Sequence, residues 1–310
     1  MIKRFFKAIG LIAVFGVSLC SLYLANLFLM KPLSMDHYLG KNLITGLVDS
    51  PESMTYMGIF DGMNWLTKHN SKLSIPNYKD LQDDIADARK SLKTLNKYKD
   101  SSLSDNQKVT KSIAIFDTEN NLKQLEEFPY HDYPLNQVRG VHHNIISFMS
   151  DMHPIRSLSE AEDFIKRTNL VLEVYSGQLG WLERQAAEGI YAPKFVYAHL
   201  IKQLNELINY SLEEHPLYTQ FNKKAELLDI KDDELASLKA DLKLSIENSV
   251  TPGFVLLRDF MVSTRDNANP HHGIWSQPNG DEFYKLRIRS YTTTDYSPQK
   301  IHDLGLSEVA

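Results

Sequence analysis

From Tyr78 onward the apolar residues Leu81, Ile85, Ala88, Leu92 and Leu95 recur at spacings of four and three. With 3.6 residues per turn, that spacing gathers them into one stripe along an α-helix and leaves the intervening charges on the solvated side. The same period returns in Val196, Leu200, Leu204 and Leu207, and again in Leu235, Leu238, Leu242 and Ile246. Period-two alternation, the mark of a half-buried strand, is confined to residues 283–291. No internal repeat of 20–50 residues is visible. The pattern therefore predicts an all-α chain, with long antiparallel helices joined by irregular loops.

Boundary signals divide the pattern. Met35 to Val48 reads as a short helix ended by Asp49-Ser50-Pro51, and residues 51–76, with Gly58, Gly62 and Pro76, read as irregular. Ser104 with Gln107, and Ser157 with Glu160, have the spacing of capping boxes. The first opens a helix expected to turn Val109, Ile113 and Phe116 inward. The second opens one long helix through Phe164, Val171, Tyr175 and Leu182 to a stop at Gly189. Pro193 and Pro216 start further helices. Thr251-Pro252-Gly253 is expected to interrupt the helix that carries Ile246, and a last long helix should run to Asn269-Pro270. Between them, residues 128–154 are dense in Pro, Gly, His and aromatic types and call for a shaped loop with a short helix near 137–149.

The N-terminus predicts a membrane segment. Lys3, Arg4 and Lys7 precede an uncharged run from Ala8 to Met30. As a helix the run reaches about 34 Å, enough for a bilayer core. The early cations favour a cytoplasmic N-terminus and an outward-facing remainder. A processed signal peptide or a lipid anchor on Cys20 is the rival reading. The apolar run continues well past Cys20, and Leu19 is not the small residue that lipid attachment would want. Residues 1–31 are thus expected to be a membrane anchor or signal segment, and 32–310 a helical domain.

Composition narrows the function. A net charge of −5 with both signs interspersed argues against a nucleic-acid footprint. The single Cys excludes an internal disulfide and a thiolate cluster. There are eleven His, and no two are four apart, so no helix turn can present a zinc-binding His pair. His142-His143 and His271-His272 are adjacent and point apart on a helix. Neither a Gly-x-Ser-x-Gly elbow nor a phosphate-binding glycine loop occurs.

Residues 271–310 concentrate rare types. Gly273-x-Trp275-x-x-Pro278-Asn279-Gly280 is followed by Tyr284, Arg287, Arg289 and Thr292-Thr293-Thr294, then Pro298-x-x-Ile301-His302-x-Leu304-Gly305-Leu306-x-Glu308-Val309. Upstream lie Ser50-Pro51-Glu52-x-x-Thr55-Tyr56-x-Gly58, Phe128-Pro129-Tyr130, Pro134-Leu135-Asn136-Gln137-x-x-Gly140-Val141, Phe148-Met149, His153-Pro154-Ile155, Gly189-Ile190-x-x-Pro193-Lys194-Phe195-Val196 and Pro216-Leu217-Tyr218 with Phe221. In order and over roughly residues 45–310, these blocks resemble the DUF885 family of bacterial proteins. The resemblance implies a mostly helical relative of zinc metallopeptidases, whose Glu and Pro-Gly-His-His metal motif lies further along and has no counterpart in this sequence. It also favours a helix over a strand for residues 283–291.

The resulting expectation is the N-terminal portion of a single-pass protein of the bacterial inner membrane, anchored through residues 8–30 with its main domain periplasmic. Zinc is implied for a complete family member, and no cofactor is expected to be bound by these residues. Ser297 before Pro298 reads as a helix start about a dozen residues from the end, so the domain is expected to be truncated there. A peptide is the expected substrate. Tyr284, Arg287, Arg289 and Thr293 are candidates to hold it, since Arg forks onto carboxylates and Tyr donates to a developing oxyanion. Asn136, Gln137 and Arg139 are candidates to line the cleft. The competing assignments are structural: Trp275 and Tyr284 as core anchors, Arg289 as a buried fork, Thr294 and Ser297 as caps, and Asn136 as a loop tie. An alternative from another class is a membrane-anchored, non-catalytic helical binding or scaffold protein.

Overall fold

The computed structural model describes the backbone of residues 2–309 and the side-chain surroundings of residues 14–309. In chain order the α-helices are α1 (Ile2–Leu29), α2 (Met35–Asp49), α3 (Pro51–Met57), α4 (Asn64–Thr67), α5 (Tyr78–Leu95), α6 (Asp105–Glu127), α7 (Val141–Ser147), α8 (Leu158–Thr168), α9 (Val171–Ala187), α10 (Lys194–Ile208), α11 (Pro216–Ala225), α12 (Asp232–Ser245), α13 (Thr251–Thr264), α14 (Gly280–Thr292) and α15 (Pro298–Val309). Among the described residues there is no strand; an isolated parallel bridge joins Pro193 and Asn269. The fold is all-α.

The chain divides into two compact units, residues 1–49 with 87–119 and residues 50–86 with 120–310. In the first, Met35 and Tyr38 of α2 pack with Leu95 and Tyr98. The Tyr98 hydroxyl donates to Pro32 O at 2.8 Å, and burial pushes its pKa up to about 12. The described part of α1 is different. Val14, Phe15, Val17, Leu22 and Leu29 are all exposed, although an apolar stretch of this kind gains from leaving water. Among the described residues no helix is long and apolar enough to cross a membrane. Residues 8–13 of the expected anchor have side chains outside those described.

The second unit holds the main core. There α13 packs against both α9 and α10, and Leu200, Leu204, Leu242, Phe254 and Leu257 are fully buried. Gly253 allows a close approach: a Cβ there would lie 2.4 Å from the Tyr175 ring. Buried side chains of this size contribute about 1.5–3 kcal/mol each.

Several boundaries differ from the sequence expectations. Residues 51–57 are helical rather than irregular, because Ser50 Oγ accepts from Ser53 N at 3.1 Å and Pro51 suits the first turn. The helix expected from Ser157 to Gly189 is two, broken at Asn169-Leu170; Ser249 Oγ donates to Asn169 O and accepts from Leu172 N, satisfying both sides of the break. The interruption expected at 251–253 is absent. A π turn over Ile246–Val250 leads directly into α13, and Pro252 falls in the first turn of α13, where its missing amide hydrogen is tolerated. Val109 and Ile113 are exposed rather than inward, while Ala114 and Ile115 pack toward the core of the first unit. Residues 283–291 form part of helix α14.

Both capping boxes do cap. Ser104 Oγ accepts from Gln107 N, and Gln107 Oε1 accepts from Ser104 N. At the second, Ser157 Oγ accepts from Glu160 N, but Glu160 turns its carboxylate to the amide of Arg156 instead. Gly189 ends α9 as expected, at φ +74°.

Candidate functional site

One concavity of the second unit is a cleft of about 200 Å³, lined by Pro76, Pro129, Tyr130, Asp132, Pro134, Gln178, Trp181 and Gln185; a wider one of about 360 Å³ lies between α8 and α12. The first forms because a loop rich in proline cannot continue a helix and instead lies across α9. Two contacts hold it there. Gln185 Nε2 donates to Tyr130 O at 2.6 Å and to Asp132 O at 2.9 Å. Tyr130 meets Trp181 with ring centroids 5.7 Å apart. On the opposite wall, Gly177 lets the Pro76 carbonyl touch α9, since a Cβ would lie 2.3 Å from that oxygen. The Arg184 guanidinium stacks 4.1 Å over the Tyr78 ring.

The segment 273–283 braces the same loop from behind. His131 Nε2 lies 2.7 Å from Pro278 O, to which it donates. Gln277 Nε2 donates to the Tyr133 hydroxyl and to Tyr191 O. Phe128 and His131 both pack on Phe283, at 5.5 and 4.9 Å. Gly280 is required by this brace: a Cβ would lie 1.9 Å from Ile274 O. Asn279 before it sits in the left-handed region at φ +54°, a conformation Asn tolerates. Burial pushes the Tyr133 hydroxyl up to about 12, so it stays protonated and neutral.

The sequence candidates fall into two separate sets. On α14, Arg287 donates to Gln124 Oε1 at 3.2 Å and to the Tyr291 hydroxyl at 2.8 Å. Arg289 donates to Asn120 Oδ1 and to Asp295. Tyr284 is 47% exposed and Trp275 60%, so neither is a core anchor. Thr293 takes φ +55° as the C-cap of α14, its amide donating to Arg289 O. In the other set, Asn136 Oδ1 accepts from the amides of Val138 and Arg139, and its Nδ2 donates to Tyr133 O. It ties a turn together. The Gln137 carbonyl accepts from Gln203, and Arg139 is exposed.

Sequence reading missed a buried polar cluster. Arg167 of α8 is fully buried. Its Nε donates to Lys72 O at 2.8 Å, Nη1 to His153 Nδ1 at 3.0 Å, and Nη2 to Thr55 Oγ1 at 2.9 Å and to His69 O. Since Arg always donates, His153 accepts at Nδ1 and donates from Nε2 to Glu160 O at 3.1 Å. Burial, reinforced by the neighbouring guanidinium, brings the His153 pKa down to about 3. Three of its four partners lie roughly a hundred residues away in sequence, so no local signal marks the cluster. Those three bonds close the polar underside of residues 55–72 onto α8.

Metal chemistry finds no donor set here. Among the described residues no three of His, Cys, Asp and Glu are grouped to hold an ion. The His142 and His143 rings meet at 4.2 Å, but His142 is buried and driven down to about 4, first by burial and then by His143. The described residues therefore do not fit the zinc that the family resemblance implies.

What the geometry defines is an all-helical protein with a braced, proline- and aromatic-lined cleft. The chain belongs to the family described as bacterial protein of unknown function (DUF885), whose model matches residues 51–310. No curated protein matches it. A crystal structure from Colwellia psychrerythraea, described as a "putative lipoprotein", is similar over 86% of this chain and 48% of that one, with a TM-score of 0.72 and 21% identity. That likeness shows the fold. The chain spans about half the length of that solved structure.

Proposed function

We propose that this chain is the peptide-holding part of a membrane-tethered, extracytoplasmic protein, a metallopeptidase in its complete form. The observation that carries the reading is the cleft over α9. Prolines and the Tyr130–Trp181 pair offer rigid apolar surface, Gln178 brings an amide, and Asp132 brings a carboxylate. An extended peptide needs such a surface: flat apolar contacts for its side chains and a few fixed polar groups for its backbone. Arg287, Arg289 and Tyr284 on α14, and Asn136, Gln137 and Arg139, stand outside the cleft's lining and would hold only parts of a substrate that extend beyond it. The exposed apolar face of α1 supports a tether to the bacterial inner membrane with the main domain outside. Zinc and the general base would come from residues beyond those of this chain, consistent with a fold relative about twice as long.

The test uses the purified 310-residue chain. Peptides should quench or shift Trp181 fluorescence, and Trp181→Phe should abolish the change. Peptide hydrolysis by this chain alone, together with stoichiometric zinc by elemental analysis, would overturn the division of labour.

A second reading, a non-catalytic binding or scaffold protein, is favoured by the cleft's own chemistry, which pairs apolar surface with amides. The two readings separate on whether a longer family member that carries the metal motif cleaves the peptides this cleft binds.

A further inference from the structure

Much of residues 55–72 is folded inside out. Thr55, Asp61, Asn64, His69 and Asn70 turn toward the protein. Asn64 Nδ2 donates to Asp163 Oδ2 at 2.9 Å, and Asn64 Oδ1 accepts from Asn70 N at 3.1 Å. Asp61 pairs with Arg156 at 2.7 Å. His69 and Asn70 are fully buried, and Arg167 clamps Thr55 and the His69 carbonyl. The apolar side chains of the same stretch face outward: Tyr56 (68% exposed), Met57, Ile59, Met63, Trp65 (77%) and Leu66.

An ordinary solvated loop has the opposite arrangement, because exposed apolar area is unfavourable and buried polar groups need partners. Here Thr55, His69 and Asn70 are buried and Asp61 and Asn64 half-buried, while six large apolar side chains of the same segment are exposed. A cluster of exposed apolar groups of that kind marks a docking surface. Its composition selects the occupant. Trp and Tyr beside aliphatic side chains are the types that settle at a bilayer's headgroup level. Lys68 and Lys72, both exposed, flank the patch on its C-terminal side with positive charge, which complements anionic lipid headgroups.

We propose that residues 56–66 are a second membrane contact, in which Trp65, Leu66, Ile59 and Tyr56 enter the headgroup region of an anionic bilayer while Lys68 and Lys72 meet its phosphates. This inference rests on the tethered reading above. With the chain already held at a membrane, the patch needs only weak affinity, because one anchor makes the second contact intramolecular. The contact would fix how the second unit, and with it the cleft on α9, faces the membrane.

The test reconstitutes the full chain in phosphatidylcholine vesicles with and without phosphatidylglycerol. Comparison with Trp65→Phe isolates the Trp65 emission; at 77% exposure the substitution disturbs no packing. Brominated lipids report contact with the bilayer, acrylamide reports contact with water, and flotation reports the tether. The expected result is a chain that floats, with Trp65 emission shifted to the blue, quenched by brominated lipid and protected from acrylamide. Phosphatidylglycerol should strengthen the effect, and Lys68→Gln with Lys72→Gln should remove that dependence. If the chain floats and Trp65 remains open to acrylamide, the second contact is overturned and the tether stands. If Trp65 is shielded from acrylamide but untouched by brominated lipid, a protein surface covers the patch, which overturns the lipid assignment. A chain that does not float overturns tether and contact together.

Discussion

His131 donates from Nε2 to the carbonyl oxygen of Pro278 at 2.7 Å, across 147 residues of sequence. That bond joins the floor of the cleft to the brace behind it. The cleft's shape is therefore set from a distance, by a segment that does not line it.

His131→Ala should loosen residues 128–136 without unfolding the second unit. The loss of one buried hydrogen bond, and of ring packing on Phe283, should cost about 1–3 kcal/mol. Thermal unfolding would register the cost, and the Trp181 emission should report a changed environment. An unchanged Trp181 spectrum would contradict the bracing role.

Two glycines make a matched pair of tests. Gly280→Ala puts a Cβ 1.9 Å from Ile274 O, which is backbone and cannot swing aside. The variant should be destabilised by several kcal/mol, at the upper end of about 1–3 kcal/mol or beyond. Gly180 of α9 has nothing within 4 Å of its built Cβ. Gly180→Ala should stabilise by about 0.5–1 kcal/mol, as expected for an unobstructed helical site. Denaturant midpoints of the two variants should move in opposite directions.

Arg167→Met should cost about 3–5 kcal/mol, because it leaves the Lys72 and His69 carbonyls, Thr55 and His153 without their donor. Arg167→Lys should recover little of that, since an ammonium cannot fork to four separated acceptors. Chemical denaturation measures both. A near-neutral Arg167→Lys would show that charge rather than geometry holds the cluster.

Acid should destabilise the fold through its buried histidines. His153 sits at about 3, and His142 and His215 at about 4, in each case chiefly through burial, against 6.5 for the free side chain. With folded values depressed, the unfolded chain binds more protons below 6.5, so stability rises with pH there. The full stability is present above about pH 7 and falls progressively from 6.5 toward 4. Each histidine contributes at most about 1.4 kcal/mol per pH unit in that window. Urea midpoints at pH 7.5, 6 and 5 should decrease in order. His215→Gln should flatten the slope.

The helices were legible in sequence to the extent that their signals are local. The stripe from Leu81 to Leu95 lies within five turns, and Leu81, Ala88 and Leu95 are buried. Ser104 and Gln107 cap each other across three residues. Ser297 Oγ likewise accepts from Lys300 N at 3.1 Å to start α15. Where the signal was equally local but the answer depended on a neighbour, the reading departed from the structure. Pro252 would break an isolated helix, yet the π turn before it and the packing of Gly253 on Tyr175 keep the helix whole. Asn169-Leu170 carries no breaking residue, and the hydroxyl that accommodates the break comes from Ser249, about eighty residues on.

The candidate site divides the same way. The rare-residue blocks at 128–137 and 273–284 were visible as blocks, and their meeting was not. Tyr284, Arg287 and Arg289 stood out as chemistry-bearing types, while Trp181 and Gln185 were hidden in an ordinary helix. The sequence alone determined that the chain is helical, which family it resembles and where most helices begin, because periodicity and capping act within a few residues. Only the tertiary structure decided that Pro278 braces His131, that Arg167 gathers Thr55, His69, Lys72 and His153, and that Trp65 is held outward. Those relations join segments up to 147 residues apart, and a hydrogen bond depends on where two groups come to lie, which local propensity does not encode.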